Sequence, residues 1–151
     1  MNIRNALDMP ICANQLQLSI MHTPMINSGM NVNMYNESGV VRDGGVLDFC
    51  RLNDITIQPW SPLQHGFFGG TFINNPDYEP LNKKLNEIGE KYKITATSTA
   101  ILWLLRHSAC MQPIIGTVNT ERIRDIAKGA DCDMSRKEWY ELYKSTGKTL
   151  P

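Results

Sequence analysis

Pro113-Ile114-Ile115-Gly116-Thr117-Val118-Asn119-Thr120-Glu121-Arg122-Ile123 holds the transition from which the fold is read. An apolar strand (Pro113, Ile114, Ile115) stops at Gly116. A hydroxyl and an amide side chain then lead into a helix with an arginine in its first turn. The first N–H groups of a helix have no partner inside it, and the helix dipole favours negative charge there. Thr117 and Asn119 can donate further bonds and Arg122 adds a fork-shaped cation, so the stretch suits a bound phosphate. The same residues also describe an ordinary strand-to-helix turn with a polar cap.

Upstream, strands and helices alternate. Ile3 to Leu7 reads as the tail of a helix stopped before Pro10, because a residue preceding proline avoids helical angles. Ile11 to Ile20 alternates apolar and polar residues as a strand does, and Ile55 to Trp60 is the second strand, ended by Pro62. Between them, Asn27 to Gly45 is rich in Asn, Gly and Ser and reads as a long loop, followed by a short helix over Val46 to Leu52. Gln64 to Pro80 is a second loop. Leu81, Leu85, Ile88 and Tyr92 then mark an amphipathic helix over Pro80 to Tyr92, and a more buried helix follows from Thr95 to His107.

Met111 to Ile115 is the third strand, and its helix, Thr120 to Gly129, has Gly129 as the expected C-cap. Ser135 and Glu138 have capping-box spacing and open a last helix that ends near Gly147. Alternation of this kind implies α/β architecture with parallel strands and right-handed crossovers. Ligands in such folds sit at the C-terminal ends of the strands. Those ends are Gln15 to Ser19, Trp60-Ser61-Pro62-Leu63 and Gly116-Thr117, each with hydrogen-bonding or aromatic residues where a buried strand favours Val, Ile or Leu. Trp60 offers a flat face and Gln15 an amide that donates and accepts. Each also has a plainer role, in the core or in satisfying nearby backbone.

Composition narrows the function. A chain of 151 residues is about one domain. Fifteen basic and fifteen acidic residues cancel, which gives no field to attract nucleic acid or a membrane surface. The four cysteines (Cys12, Cys50, Cys110, Cys132) form no Cys-x-x-Cys pair and read as reduced structural thiols, with no metal site expected. No apolar run spans a bilayer and the N-terminus has no apolar signal core, so the expectation is a cytoplasmic protein. The three histidines lack metal-ligand spacing. His22 and His65 read as rim residues, and His107 as a partner of the last carbonyls of its helix.

Four motifs in order resemble the C-terminal part of an aldo-keto reductase, in the bacterial oxidoreductase branch. They are Asn14-Gln15-Leu16-Gln17-Leu18-Ser19; Gln58-Pro59-Trp60-Ser61-Pro62-Leu63; Trp103-Leu104-Leu105-Arg106-His107; and Pro113-Ile114-Ile115-Gly116-Thr117 with Glu121-Arg122-Ile123. The resemblance runs nearly end to end over residues 1–151. It implies about three strand–helix units of a TIM (β/α)8 barrel that binds NADPH across its C-terminal face and reduces aldehydes or ketones.

By that resemblance, Gln15 matches the glutamine that bonds the nicotinamide carboxamide, and Trp60 the aromatic that stacks on the nicotinamide ring. Ser61 and Leu63 match positions along the pyrophosphate, Thr117 and Asn119 positions near the adenosine 2′-phosphate, and Arg122 the arginine that clamps it. Gly116 stands where many members have a lysine that pairs with the 2′-phosphate, and Ile126 where many have an asparagine touching adenine. Both departures count against the preference for NADP over NAD that the resemblance otherwise implies.

The resemblance also implies a catalytic tetrad of Asp, Tyr, Lys and His on the early strands of the barrel, and no residue here matches it. Tyr35, Tyr78, Tyr92, Tyr140 and Tyr143 all lie in other contexts. The expected function is therefore the cofactor-binding portion of an NADP-dependent reductase of carbonyl substrates, inactive alone, with a non-catalytic nucleotide-binding or interaction module as the alternative. A three-stranded slice of a barrel is expected to leave two unpaired edges and to expose Ile114, Ile115, Ile57 and Leu18, favouring self-association or pairing with a complementary N-terminal half.

Overall fold

A computed structural model describes residues 9–35, 37–40, 44–66 and 69–150. The helix tail expected over Ile3 to Leu7 lies outside these residues. Strand β1 (Ala13–Gln17) pairs in parallel with β2 (Thr56–Trp60), from Ala13 opposite Thr56 to Gln17 opposite Trp60. Along β2, Ile57 and Pro59 are buried while Thr56, Gln58 and Trp60 are half-buried, the period-two signature of a sheet covered on one face. β1 is shorter than the expected Ile11 to Ile20. Leu18, Ser19 and Ile20 stay buried but leave the ladder, and Ser19 Oγ donates to the Gln64 carbonyl at 2.6 Å.

The third strand expected at Met111 to Ile115 forms only in part. Ile57 N–H donates to the Cys110 carbonyl at 2.9 Å, and Gln112 and Ile114 N–H donate to the Ile57 and Pro59 carbonyls at 2.9 and 2.8 Å. The next bond of a parallel ladder would need an N–H on residue 59, which is proline and has none. Pairing therefore reduces to the single bridge between Ile57 and Met111, and residues 111–115 run beside β2 without becoming a strand.

The long loop expected over Asn27 to Gly45 instead begins within a helix, α1 (Pro24–Met30), which has Pro24 in its first turn and Met25 and Ile26 buried. A single 3-10 turn follows at Glu37–Gly39, and α2 (Val46–Leu52) is the expected short helix. The Gln64 to Pro80 segment is tied down by Asn82, whose Nδ2 donates to the Phe72 carbonyl at 2.8 Å and whose Oδ1 accepts from Asn74 N–H at 2.9 Å. Helix α3 (Glu79–Tyr92) carries Asn82, with Leu81, Leu85 and Ile88 on its buried face.

Helix α4 (Ala96–Leu105) is the most buried helix. Thr95 caps it by accepting from Ser98 N–H, and only Thr97 and Leu105 are not fully buried. Helix α5 (Thr120–Ala130) packs across it. A Cβ on Gly129 would sit 3.0 Å from Ser98 Cβ, so this glycine permits close helix approach and is not the left-handed C-cap expected of it. Ser135 and Glu138 form the expected capping box at the start of α6 (Arg136–Ser145), and Gly147 just beyond it has φ 80°. The indoles of Trp103 and Trp139 stack at 4.6 Å, and each Nε1 donates to the other's backbone carbonyl at 3.0 and 2.9 Å. This reciprocal pair fastens α6 to α4.

The helices cover one face of the sheet. Leu18 and Ile57 are fully buried under them, against the expectation that they would meet water, because both point to the helical side. Ile114 is 39% exposed. The opposite face is polar: Gln15 Nε2 donates to Gln58 Oε1 and Gln58 Nε2 to Gln112 Oε1, both at 2.9 Å.

Candidate functional site

A groove of about 540 Å³ opens at the C-terminal ends of β2 and the 111–115 segment, lined by Trp60, Ser61, Leu63, Thr71, Thr117 and Arg122 among others. Ser61 turns the chain out of β2 with φ 51°, and Asn74 on the facing wall has φ 57°. Non-glycine residues take this left-handed region at a cost, and such residues cluster at ligand sites. The facing wall, Thr71 to Asn74, is tied to the end of β2 by the bridge between Gln64 and Thr71 and by Phe72 N–H, which donates to the Leu63 carbonyl at 3.2 Å. A second hollow of about 660 Å³ shares Asn74, Thr97 and Arg122 with the groove and adds Asn119, Glu121 and Asp125.

The turn into α5 is built by its own polar side chains. Thr117 Oγ1 accepts from Asn119 N–H at 3.2 Å, and Asn119 Oδ1 accepts from Arg122 N–H at 3.0 Å. The Thr117 hydroxyl hydrogen and the Asn119 amide hydrogens are left to donate elsewhere. Among the described residues, the Arg122 guanidinium enters no ion pair. Asp125 is occupied by the hydroxyls of Thr95 and Ser98, the latter at 2.7 Å. A Cβ on Gly116 would meet nothing within 4 Å, so the wall beside the groove is open there.

The structure thus gathers Trp60, Ser61, Leu63, Gly116, Thr117 and Arg122 in one groove, with Ile126 at its wall and Asn119 in the adjoining hollow. Gln15 is not among the lining residues. It lies on the same sheet face as Trp60, about 7 Å back along the strands, engaged with Gln58. Thr71, Ile73, Asn74 and Thr97 line the groove without a prior signal beyond the Asn74-Asn75-Pro76 turn composition. None of the histidines lines it.

His22 follows β1, its pKa lowered by burial and by the Lys148 ammonium. Lys148 donates to the Ile20 and Met21 carbonyls at 2.9 and 3.0 Å, and burial lowers its pKa to about 8. His107 meets its helix's last carbonyls through its backbone alone, the N–H donating to the Leu104 carbonyl at 3.2 Å, while the ring bonds elsewhere. Its Nδ1 accepts from Ala109 N–H at 3.1 Å, because the chain turns back beneath the ring. Among the described residues there is no helix long and apolar enough to cross a membrane.

Parallel strands covered on one face by helices, with a groove at the strand ends, define an α/β protein. Residues 1–145 match the model of the aldo/keto reductase family, and the chain belongs to that family. It is 31% identical over 143 residues to 6-dehydroglucose reductase of Agrobacterium fabrum, covering 93% of this chain and 40% of that protein. It is 24% identical over 146 residues to oxidoreductase YdhF of Escherichia coli K12, covering 95% of this chain and 42% of that protein. The crystal structure of a thermostable aldo-keto reductase with the inhibitor epalrestat superimposes with a TM-score of 0.63 at 20% identity, over 94% of this chain and 42% of that one. The chain thus spans about two-fifths of the length of these relatives.

Proposed function

We propose that this chain is the dinucleotide-holding C-terminal part of an aldo-keto reductase barrel, the cofactor being NADP(H) and the substrate an aldehyde or ketone. The observation that carries the reading is the groove from Trp60 to Arg122, an aromatic face at one end and, at the other, a guanidinium with no ion pair among the described residues. Trp60 supplies the flat surface for the nicotinamide ring, and Gln15 can turn from Gln58 to its carboxamide. Ser61 and Leu63 flank the pyrophosphate. Gly116, Thr117 and Asn119 border the adenosine phosphate, with Arg122 as its cation. When bound, NADPH supplies a hydride. The chain's own residues hold and orient it.

Reduction also needs a proton donor to the carbonyl oxygen. None of the five tyrosines lines the groove. Tyr92 and Tyr143 are bonded to Glu138 and Asn27, and Tyr78 lies against His65. The donor is therefore assigned to strands outside this chain. The same observation favours a second reading, a module that binds dinucleotide without turnover.

Titration of the purified chain with NADPH, followed by Trp60 quenching, is expected to saturate. Carbonyl-dependent NADPH oxidation, tested with 6-dehydroglucose because a relative bears that name, is expected to stay at background. Turnover should appear only when a polypeptide carrying the early strands is added; binding without turnover even then would favour the module. Robust turnover by the chain alone would overturn the placement of the proton donor.

A further inference from the structure

A second cavity lies at the other end of the helix layer. It measures about 540 Å³, opens to solvent, and is bordered by α1, α2, the end of α4 and the start of α6. It shares no lining residue with the groove. Thr97 in the first turn of α4 borders the groove, while Arg106 and His107 at its far end border this cavity, about 14 Å away along the helix.

Three arginines converge on it, Arg51, Arg106 and Arg136, against one carboxylate, Asp48. Asp48 approaches Arg51 at 3.5 Å, and neither Arg106 nor Arg136 has an ion-pair partner among the described residues. Arg106 Nε donates to the Met134 carbonyl at 2.5 Å, which fixes the guanidinium and leaves its terminal nitrogens free to bond. His107 accepts a backbone N–H at Nδ1, so its neutral ring carries the proton on Nε2 and is one more donor. The floor is apolar: Met25, Ile26 and Trp139 are buried there. Three exposed guanidiniums with a single carboxylate leave the rim of the cavity net positive, a field that favours a small anion.

We infer that this cavity is a second ligand site, for a small organic phosphate or carboxylate whose apolar body rests on Trp139. Guanidinium forks match the oxygens of either group. The volume suits a small molecule, with a polar, cationic rim set around a buried apolar floor. The inference is independent of the dinucleotide reading.

The test is NMR of the histidine rings in the full chain at pH 7, titrated with inorganic phosphate and with phenyl phosphate. Trp139 packs against the His107 ring, and the charged or titratable groups lining the same cavity are Asp48 and Arg51 from α2, Arg106 beside it, and Arg136 and Tyr140 from α6. Burial and the Arg51 cation hold its pKa below the usual histidine value, so an arriving anion should raise it.

Saturable movement of the His107 signals alone is expected, with phenyl phosphate the tighter ligand. Arg136→Gln should weaken binding about tenfold, the loss of one charge-assisted bond. Gly29→Leu fills the cavity from a wall where a Cβ meets nothing within 4 Å, and should abolish phenyl phosphate binding without lowering the melting temperature. Equal, unsaturating drift of all three histidines would overturn the site, as would binding unchanged in both variants.

Discussion

On the proposed reading, Arg122 and Gly116 decide between NADP and NAD at this end of the groove. Arg122 is free of carboxylate partners among the described residues because Asp125, three residues on, is held by Thr95 and Ser98. In the assembly that binds cofactor, Arg122→Ala should weaken NADPH by about 1.5–3 kcal/mol, the range of a charge-assisted bond, and NADH much less. Gly116→Lys, entering open space, should strengthen NADPH selectively. Isothermal titration with both cofactors checks this, and equal losses for the two would mean that Arg122 serves the fold. The residues at this end were legible in the sequence because turn, cap and cation are contiguous there. Asn74 and Thr97 were not, since they reach the groove only through the Asn82 anchor and the packing of α4 on α5.

Among the elements, α6 depends on one carboxylate. Glu138 Oε1 accepts from Lys91 at 2.6 Å, and Oε2 accepts from Tyr92 at 2.9 Å and from Ser135 N–H and Oγ at 2.9 and 2.6 Å. Burial alone would raise its pKa, but bonds from Lys91, Ser135 and Tyr92 outweigh it and lower the value from 4.5 to about 2. A carboxylate depressed in the folded state contributes stability above its unfolded pKa and loses it as pH falls through the folded one. Glu138→Gln should therefore cost about 1–2 kcal/mol at neutral pH. The difference from the parent should close between pH 4.5 and about 2 in urea titrations. A gap that persists undiminished at pH 2 would place the contribution in packing. The capping box was readable because its partners lie three residues apart. Helix α1 was not, because Asn27, Ser28 and Gly29 read as loop and only the burial of Met25 and Ile26 makes the segment a helix. The broken third strand was equally hidden, since its cause is Pro59 on the neighbouring strand.

At the scale of the whole molecule, the sheet is closed on one side only. Helices bury Ile57 and Leu18, so the driving force for association is not the apolar face expected from sequence. What remains is backbone and amide. Among the described residues, β1 has β2 as its only strand partner and residues 111–115 bond only to β2, leaving the outer edge of each unpaired by strand. The Gln15–Gln58–Gln112 row also ends on two side chains with bonding capacity to spare. Unpaired strand edges are templates for further strands, and a polar row specifies register better than an apolar one would. The chain should therefore associate with its own copy or with a complementary barrel half, less tightly than an exposed apolar face would drive. Light scattering over a hundredfold dilution should show mass falling with concentration, and Gln58→Lys, which sets a charge in the middle of the row, should shift the balance to monomer. A sharply melting monomer at every concentration would show that both edges are satisfied within the chain, and the reading as part of a larger barrel would fall with it.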